Sequence, residues 1–141
     1  MKLSDFSVQK LGEYIAGDPD GWPYRSGPKL VAFFNKMGFG EVYGQGFPGR
    51  ATFAKEKVAE LNGKPKLKEA VREMLDPRLW LEVINGTVEA CAAQINEVIK
   101  YDGYEVVRDG NFYKVRELAG AVIGVEHRFE EYEELSELLI E

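Results

Sequence analysis

Apolar side chains recur at helical spacing through the first hundred positions and then switch to alternation, so the pattern predicts a helical body followed by a hairpin. Phe6, Leu11, Tyr14 and Ile15 form a loose stripe ending at Gly17, and the breaker-rich Asp18-Pro19-Asp20-Gly21-Trp22-Pro23 predicts a loop. Ser26 reads as an N-cap with Pro28 in the first turn. Leu30, Phe33, Phe34 and Met37 then make the core face of a second helix, stopped by Gly38. Gly38 to Gly49 holds five glycines and one proline, which predicts an ordered loop anchored by Phe39, Tyr43 and Phe47. A third helix, from about Arg50 to Leu61, ends at Asn62-Gly63. Pro65 opens a fourth, with Leu67, Ala70, Val71, Met74 and Leu75 on one face and Asp76-Pro77 as its stop.

Leu79, Trp80, Val83 and Ile84 predict one or two further helical turns before Asn85-Gly86. Thr87 caps a helix carrying Val88, Cys91, Ile95, Val98 and Ile99 to about Lys100. With Asp109-Gly110 as a type I′ turn, Val107 faces Phe112, Val106 faces Tyr113, Glu105 faces Lys114 and Tyr104 faces Val115. Tyr104, Val106, Tyr113 and Val115 then share the apolar face. A strand is predicted at 121–125, and Phe129, Tyr132, Leu135 and Leu138 mark an amphipathic helix whose polar face carries Glu130, Glu131, Glu133, Glu134 and Glu137. The fold class expected is α+β, mostly α: five to six helices ending in a β-hairpin, with a winged-helix-like C-terminal half. The expected organisation is a single globular domain over 1–128 and an acidic helical tail over 129–141.

Composition narrows the function classes. The 141 residues are 45% hydrophobic and 30% charged, without an apolar run of membrane-spanning length or a secretory leader pattern, which predicts a cytoplasmic domain. One cysteine excludes an internal disulfide, and one histidine, His127, would leave a zinc site to carboxylates, so no metal or other cofactor is expected. The net charge of −6 hides a division: residues 1–23 sum to −2, 24–72 to +6 and 73–141 to −10. Such segregation marks the basic third as a candidate surface for an anionic partner, against the plainer reading of a solvated face.

Gly44-Gln45-Gly46-Phe47-Pro48-Gly49 matches the glycine spacing of a dinucleotide-binding turn, but no buried strand precedes it and Pro48 removes an amide near the helix start. A glycine-rich connector wedged by aromatics fits better. Arg50 near a helix N-terminus, with Arg25 and Lys29 one helix earlier, suits phosphate recognition. Lys55, Lys57, Lys64, Lys66 and Lys68 extend that basic stretch. The would-be recognition helix at 88–100 is a poor groove reader, because it carries Glu89 and Glu97 with Lys100 its only base. No nucleophile elbow, Walker A, His-Glu-x-x-His or Cys-x-x-Cys motif occurs, and His127 is the only imidazole a triad could use. Cys91 lies on an apolar stripe and reads as a small core residue.

Two stretches carry a family resemblance. Tyr24 to Asn35, running on through Phe39 to Arg50, and Leu75-Asp76-Pro77-Arg78 with Ile95-Asn96-Glu97 and Tyr101 to Val107 resemble the N-terminal domain of AbiJ-like bacterial abortive-infection proteins. The matched stretches span roughly 22–116. The resemblance implies a non-catalytic sensing or adaptor module of phage defence, joined to an effector such as a HEPN-type ribonuclease and responding to a phage or host trigger. The Arg-x(4–6)-His signature of such a ribonuclease is missing before His127, and the 141 residues include no effector, which fits a separately encoded component, a standalone regulator or a domain excised from a longer protein. The function expected is therefore that of an adaptor acting through protein contacts, with an oligomer among the arrangements open to it. Its candidate recognition surface is Arg25, Lys29, Tyr43, Gly44, Gly46 and Arg50. The alternative is a nucleic-acid or nucleotide-phosphate binder using the basic 24–72 segment; an enzyme would need a cleft in which His127 meets carboxylates.

Overall fold

A computed structural model describes residues 1–118. The helices are α1 (Asp5–Ala16), α2 (Gly27–Asn35), α3 (Arg50–Leu61), α4 (Lys66–Met74) and α5 (Val88–Ile99); the antiparallel hairpin is β1 (Tyr104–Asp109) and β2 (Phe112–Glu117). A 3-10 turn, Pro77–Trp80, lies between α4 and α5. The mostly α, α+β architecture and its closing hairpin agree with the pattern of apolar positions. The strand expected at 121–125, the helix expected over 129–141, His127 and the boundary at 128 all lie outside the described residues.

Side-chain caps set most helix starts. Ser4, Ser26 and Thr87 each accept a hydrogen bond from the backbone N–H three residues on, and Asp76 accepts one from the Arg78 amide to open the 3-10 turn. The core is continuous: Leu11 and Ile15 of α1, Leu30 and Phe34 of α2, Val58 of α3, Leu67 and Met74 of α4, and Ile95 and Ile99 of α5 are all buried. Gly12 fixes the α1–α3 approach, since a β-carbon there would lie 2.8 Å from the Lys55 Cα. The first-helix stripe needs a correction. Phe6 is 65% exposed, and the buried face is completed by Ser7 and Val8 instead.

The hairpin register is also corrected. Val106 pairs with Val115, Glu105 with Arg116 and Tyr104 with Glu117, so the turn is Gly110-Asn111 rather than Asp109-Gly110. Gly110 takes φ +64° while Asn111 keeps a negative φ, as in a II′-type turn that starts on glycine. The displacement is two residues, an even number, so Tyr104, Val106, Tyr113 and Val115 still face the core. The observed register pairs six residues on each strand and brings two Arg116 guanidinium nitrogens onto Glu105, at 2.8 and 2.7 Å.

Three asparagines act alike on three different segments. Each directs its side-chain oxygen to one residue's N–H and its side-chain NH2 to the same residue's carbonyl. Asn62 holds Leu3 (2.8 and 3.0 Å), Asn35 holds Glu41 (2.9 and 3.0 Å) and Asn96 holds Val106 (2.7 and 3.1 Å). These pairs satisfy peptide groups that no helix or sheet ladder reaches. They dock the N-terminal segment, the glycine-rich loop and the edge of the hairpin onto helices.

Candidate functional site

Arg50 and Arg25 close the C-terminal end of α1. The Arg50 guanidinium donates to the carbonyls of Ala16 and Arg25 (2.8 Å to the latter), pairs with Asp18 at 2.8 Å, and lies 4.0 Å over the Tyr24 ring. Helix C-termini leave carbonyls without intrahelical partners, and a cation there also complements the helix dipole. Arg25 donates to the Ile15 carbonyl at 2.9 Å and packs 4.6 Å over Phe33, with 8% of its surface exposed. Burial lowers its pKa to about 10, and the charge of Glu73 partly opposes that shift, so the guanidinium stays ionised at neutral pH. The two arginines are thus brought together, but on internal carbonyls.

The other expected surface residues divide. Lys29 is exposed on α2 and lines a pocket of about 210 Å³ with Arg25, Lys36 and Phe33. Tyr43, half-exposed, lays its ring on Gly27 at the start of α2 and against Phe47, 4.8 Å between centroids. Phe47 in turn packs on Phe53, 4.8 Å away. No atom lies within 4 Å of where a β-carbon would stand at Gly44 or Gly46, so these glycines sit at the open tip of the loop. No strand precedes them, consistent with an aromatic-wedged connector. Lys57 ties the loop down from α3, reaching Glu41 at 2.6 Å and Glu60 at 2.9 Å. Burial opposes its charge, but the hydrogen bonds to Glu41 and Glu60 outweigh that and hold its pKa above the usual lysine value.

The charge division is partly met inside the fold. Residues 119–141 carry seven acids against Arg128, which accounts for the whole −6 and leaves residues 1–118 balanced. Within the basic third, Lys55 pairs with Glu13, Lys66 with Glu69 and Arg72 with Asp109, besides Arg50 and Lys57. Surface pairs of this kind each contribute roughly 0–1 kcal/mol, and Lys29, Lys36, Lys64 and Lys68 of the same stretch have no ion pair among the described residues.

The feature the sequence pattern missed is the segment after α4. Leu81 is 84% and Ile84 93% exposed, and Leu79 is also exposed, in the stretch expected to form one or two helical turns. The segment holding them opens on a local ion pair and is pinned to the body at two places, Trp80 and Gly86. Asp76 receives Arg78 through two guanidinium contacts, at 3.0 and 2.6 Å; this pairing, opposed by burial, also keeps the Asp76 carboxyl below its usual pKa. Trp80 is buried, with its indole N–H on the Gly21 carbonyl at 2.9 Å and its ring edge-on to Trp22. Gly86 presses on Gly21 so closely that any side chain there would collide with its backbone. Leu81 and Ile84 therefore project from a braced segment. The signal available beforehand was the run Leu79-Trp80-Leu81-Glu82-Val83-Ile84, too dense in apolar residues for the single short turn that carries it.

Cys91 is a core residue, 1% exposed, with its thiol on the Gly21 carbonyl at 3.2 Å and its pKa pushed up by burial. Among the described residues no three His, Cys, Asp or Glu side chains are grouped to hold a metal ion, and no helix is long and apolar enough to cross a membrane. No protein-family model, curated protein or solved structure matches the chain.

Proposed function

We propose that this protein is a non-catalytic recognition domain that works through protein contacts, with the braced 77–86 segment as its contact surface. The observation that carries the reading is the presentation of Leu81 and Ile84 in solvent from a segment fixed to Gly21 by Trp80 and Gly86. Exposed apolar side chains cost little individually, but a rigid cluster offers a partner burial without a large ordering penalty. The partner suited to it has an apolar centre and can meet the Arg78 and Arg108 side chains that line the neighbouring pocket of about 440 Å³ beside Phe112. The resemblance of the 24–50 and 75–107 stretches supplies the context: a cytoplasmic adaptor of bacterial abortive infection, coupling a phage or host trigger to an effector such as a HEPN-type ribonuclease. The nucleic-acid alternative has less support, because Arg50 is engaged by backbone carbonyls and Asp18 and Arg25 is buried, away from an extended polyanion.

A photo-crosslinking residue at position 84 tests the reading in extracts of the source cells, with the same residue at Lys68 as the control. The reading requires a discrete protein adduct from position 84, lost on Leu81→Asp and absent from position 68. Adducts of equal yield from both positions, or adducts to nucleic acid, would overturn it.

A further inference from the structure

The pocket over Arg25 has a chemistry that the adaptor reading does not use. Arg25 is more than nine-tenths buried, and its one side-chain acceptor among the described residues is the Ile15 carbonyl. A guanidinium has five N–H donors in a planar fork, so most of that donor capacity is unused. Leaving a buried cation short of acceptors is costly, and the Phe33 ring offsets only part of it. Glu73 is close enough to act on the charge, but no ion pair within 4 Å joins it to Arg25.

The walls match that floor. Lys29, Ala32, Phe33 and Lys36 stand at i, i+3, i+4 and i+7 of one helical face, an apolar centre between two ammonium groups, with Leu79 across the opening. Neither lysine has a carboxylate within 4 Å among the described residues, whereas Asp76 on the same rim is occupied by Arg78. Two carboxylates on the rim, Glu73 and Asp76, set a limit on the charge the site takes: they repel a dianion more than a monoanion.

We infer that this pocket is a binding site for a single carboxylate borne on an apolar body, held by the unused edge of Arg25 and by Lys29 and Lys36, with the body against Phe33 and Leu79. The carboxylate can belong to a free organic acid or to an acidic side chain beside a leucine. The site adjoins the 77–86 segment through Asp76 and Leu79 but is not lined by Leu81 or Ile84, so its loss and the loss of the adaptor contact are read separately.

The test is an NMR titration of the 15N-labelled protein, following the Arg25 side-chain Nε–H resonance. The probes are phenylacetate, its methyl ester, the capped peptide acetyl-Leu-Glu-Leu-amide and inorganic phosphate. Phenylacetate is expected to shift that resonance saturably with a Kd of about 1–10 mM, the range for a ligand of about ten heavy atoms. The methyl ester is expected to leave it in place. Binding by the peptide as well assigns the site to acidic protein side chains; binding by phenylacetate alone assigns it to small acids. Because Arg25→Ala can fail to fold, the surface double variant Lys29→Gln, Lys36→Gln carries the mutational arm and should weaken phenylacetate about three- to tenfold. The inference is overturned if neither carboxylate shifts the resonance, if the ester binds as well as the acid, if phosphate binds as tightly, or if the double variant binds unchanged.

Discussion

Replacing Arg50 by alanine separates a structural clamp from a ligand-binding arginine. The substitution removes charge-assisted hydrogen bonds to the Ala16 and Arg25 carbonyls, the 2.8 Å pair with Asp18, and the stacking on Tyr24. The two carbonyl bonds are part-buried, and water can replace some of what they lose, so each counts near the lower bound for bonds to a charged group, about 1.5 kcal/mol. The Asp18 pair is half solvated and adds about 0.5 kcal/mol, and the ring contact adds about as much. The expected loss is about 4 kcal/mol, a large part of the 5–15 kcal/mol that holds a domain of this size. Urea unfolding followed by far-UV circular dichroism measures it directly. Arg50→Lys, whose ammonium reaches fewer of these acceptors in fixed geometry, should recover less than half. The loss should persist in 0.5 M salt because most of it is hydrogen bonding at a helix end, while Asp18→Asn should cost about 0.5 kcal/mol and be salt-sensitive. Unfolding of Arg50→Ala within about 0.5 kcal/mol of the wild type would refute the clamp and return Arg50 to the surface.

Other outcomes follow from single contacts. Gly12→Ala gains roughly 1 kcal/mol of helix propensity but sets a β-carbon 2.8 Å from the Lys55 Cα, an overpacking cost of about 1–3 kcal/mol; thermal melts should show net destabilisation, and a raised Tm would refute the close α1–α3 contact. Asn96→Ala leaves the Val106 N–H and carbonyl without their side-chain partner, so hydrogen exchange at the Val106 amide should accelerate and stability should fall by about 1–3 kcal/mol; unchanged exchange would refute the docking role. Lys57→Met should destabilise by about 1–2 kcal/mol. Because the folded pKa of Lys57 is raised, its contribution is fully present below about pH 10.5 and is lost as pH rises through the folded value, so the gap between wild type and Lys57→Met should close only at alkaline pH. Cys91 should alkylate at least about a hundredfold faster in urea than in buffer, since the thiol is buried and its pKa raised; equal rates would refute its place in the core.

The helices were legible because apolar spacing and cap chemistry agree locally: Ser26 with Leu30 and Phe34, and Thr87 with Cys91 and Ile95, each carry both signals. The hairpin turn was not, for a reason internal to the sequence. Asp109-Gly110-Asn111 contains two competing two-residue turns, and the registers differ by an even number, so the same apolar face forms either way and Glu105 meets a cation in both. Phe6 misled because one aromatic at helical spacing does not establish a buried face. The pairing of Arg25 and Arg50 on one helix end was invisible in the chain, since it depends on where the 18–26 loop brings Ala16 and Tyr24. The exposure of Leu81 and Ile84 was not legible either, because apolar composition does not tell a braced exposed segment from a core one. The bracing is tertiary: the Trp80 indole on Gly21 and the Gly86–Gly21 contact each span more than fifty residues.

The adaptor contact is assigned to Leu81 and Ile84 of the braced 77–86 segment, and not to nucleic-acid binding by the basic 24–72 stretch. Crosslinking from position 84 compared with position 29, in the same extract, measures this most directly. The expected result is a protein adduct at 84 that Leu81→Asp abolishes while the thermal melt is unchanged. A dominant adduct at 29, to nucleic acid or to protein, with none at 84, would contradict it.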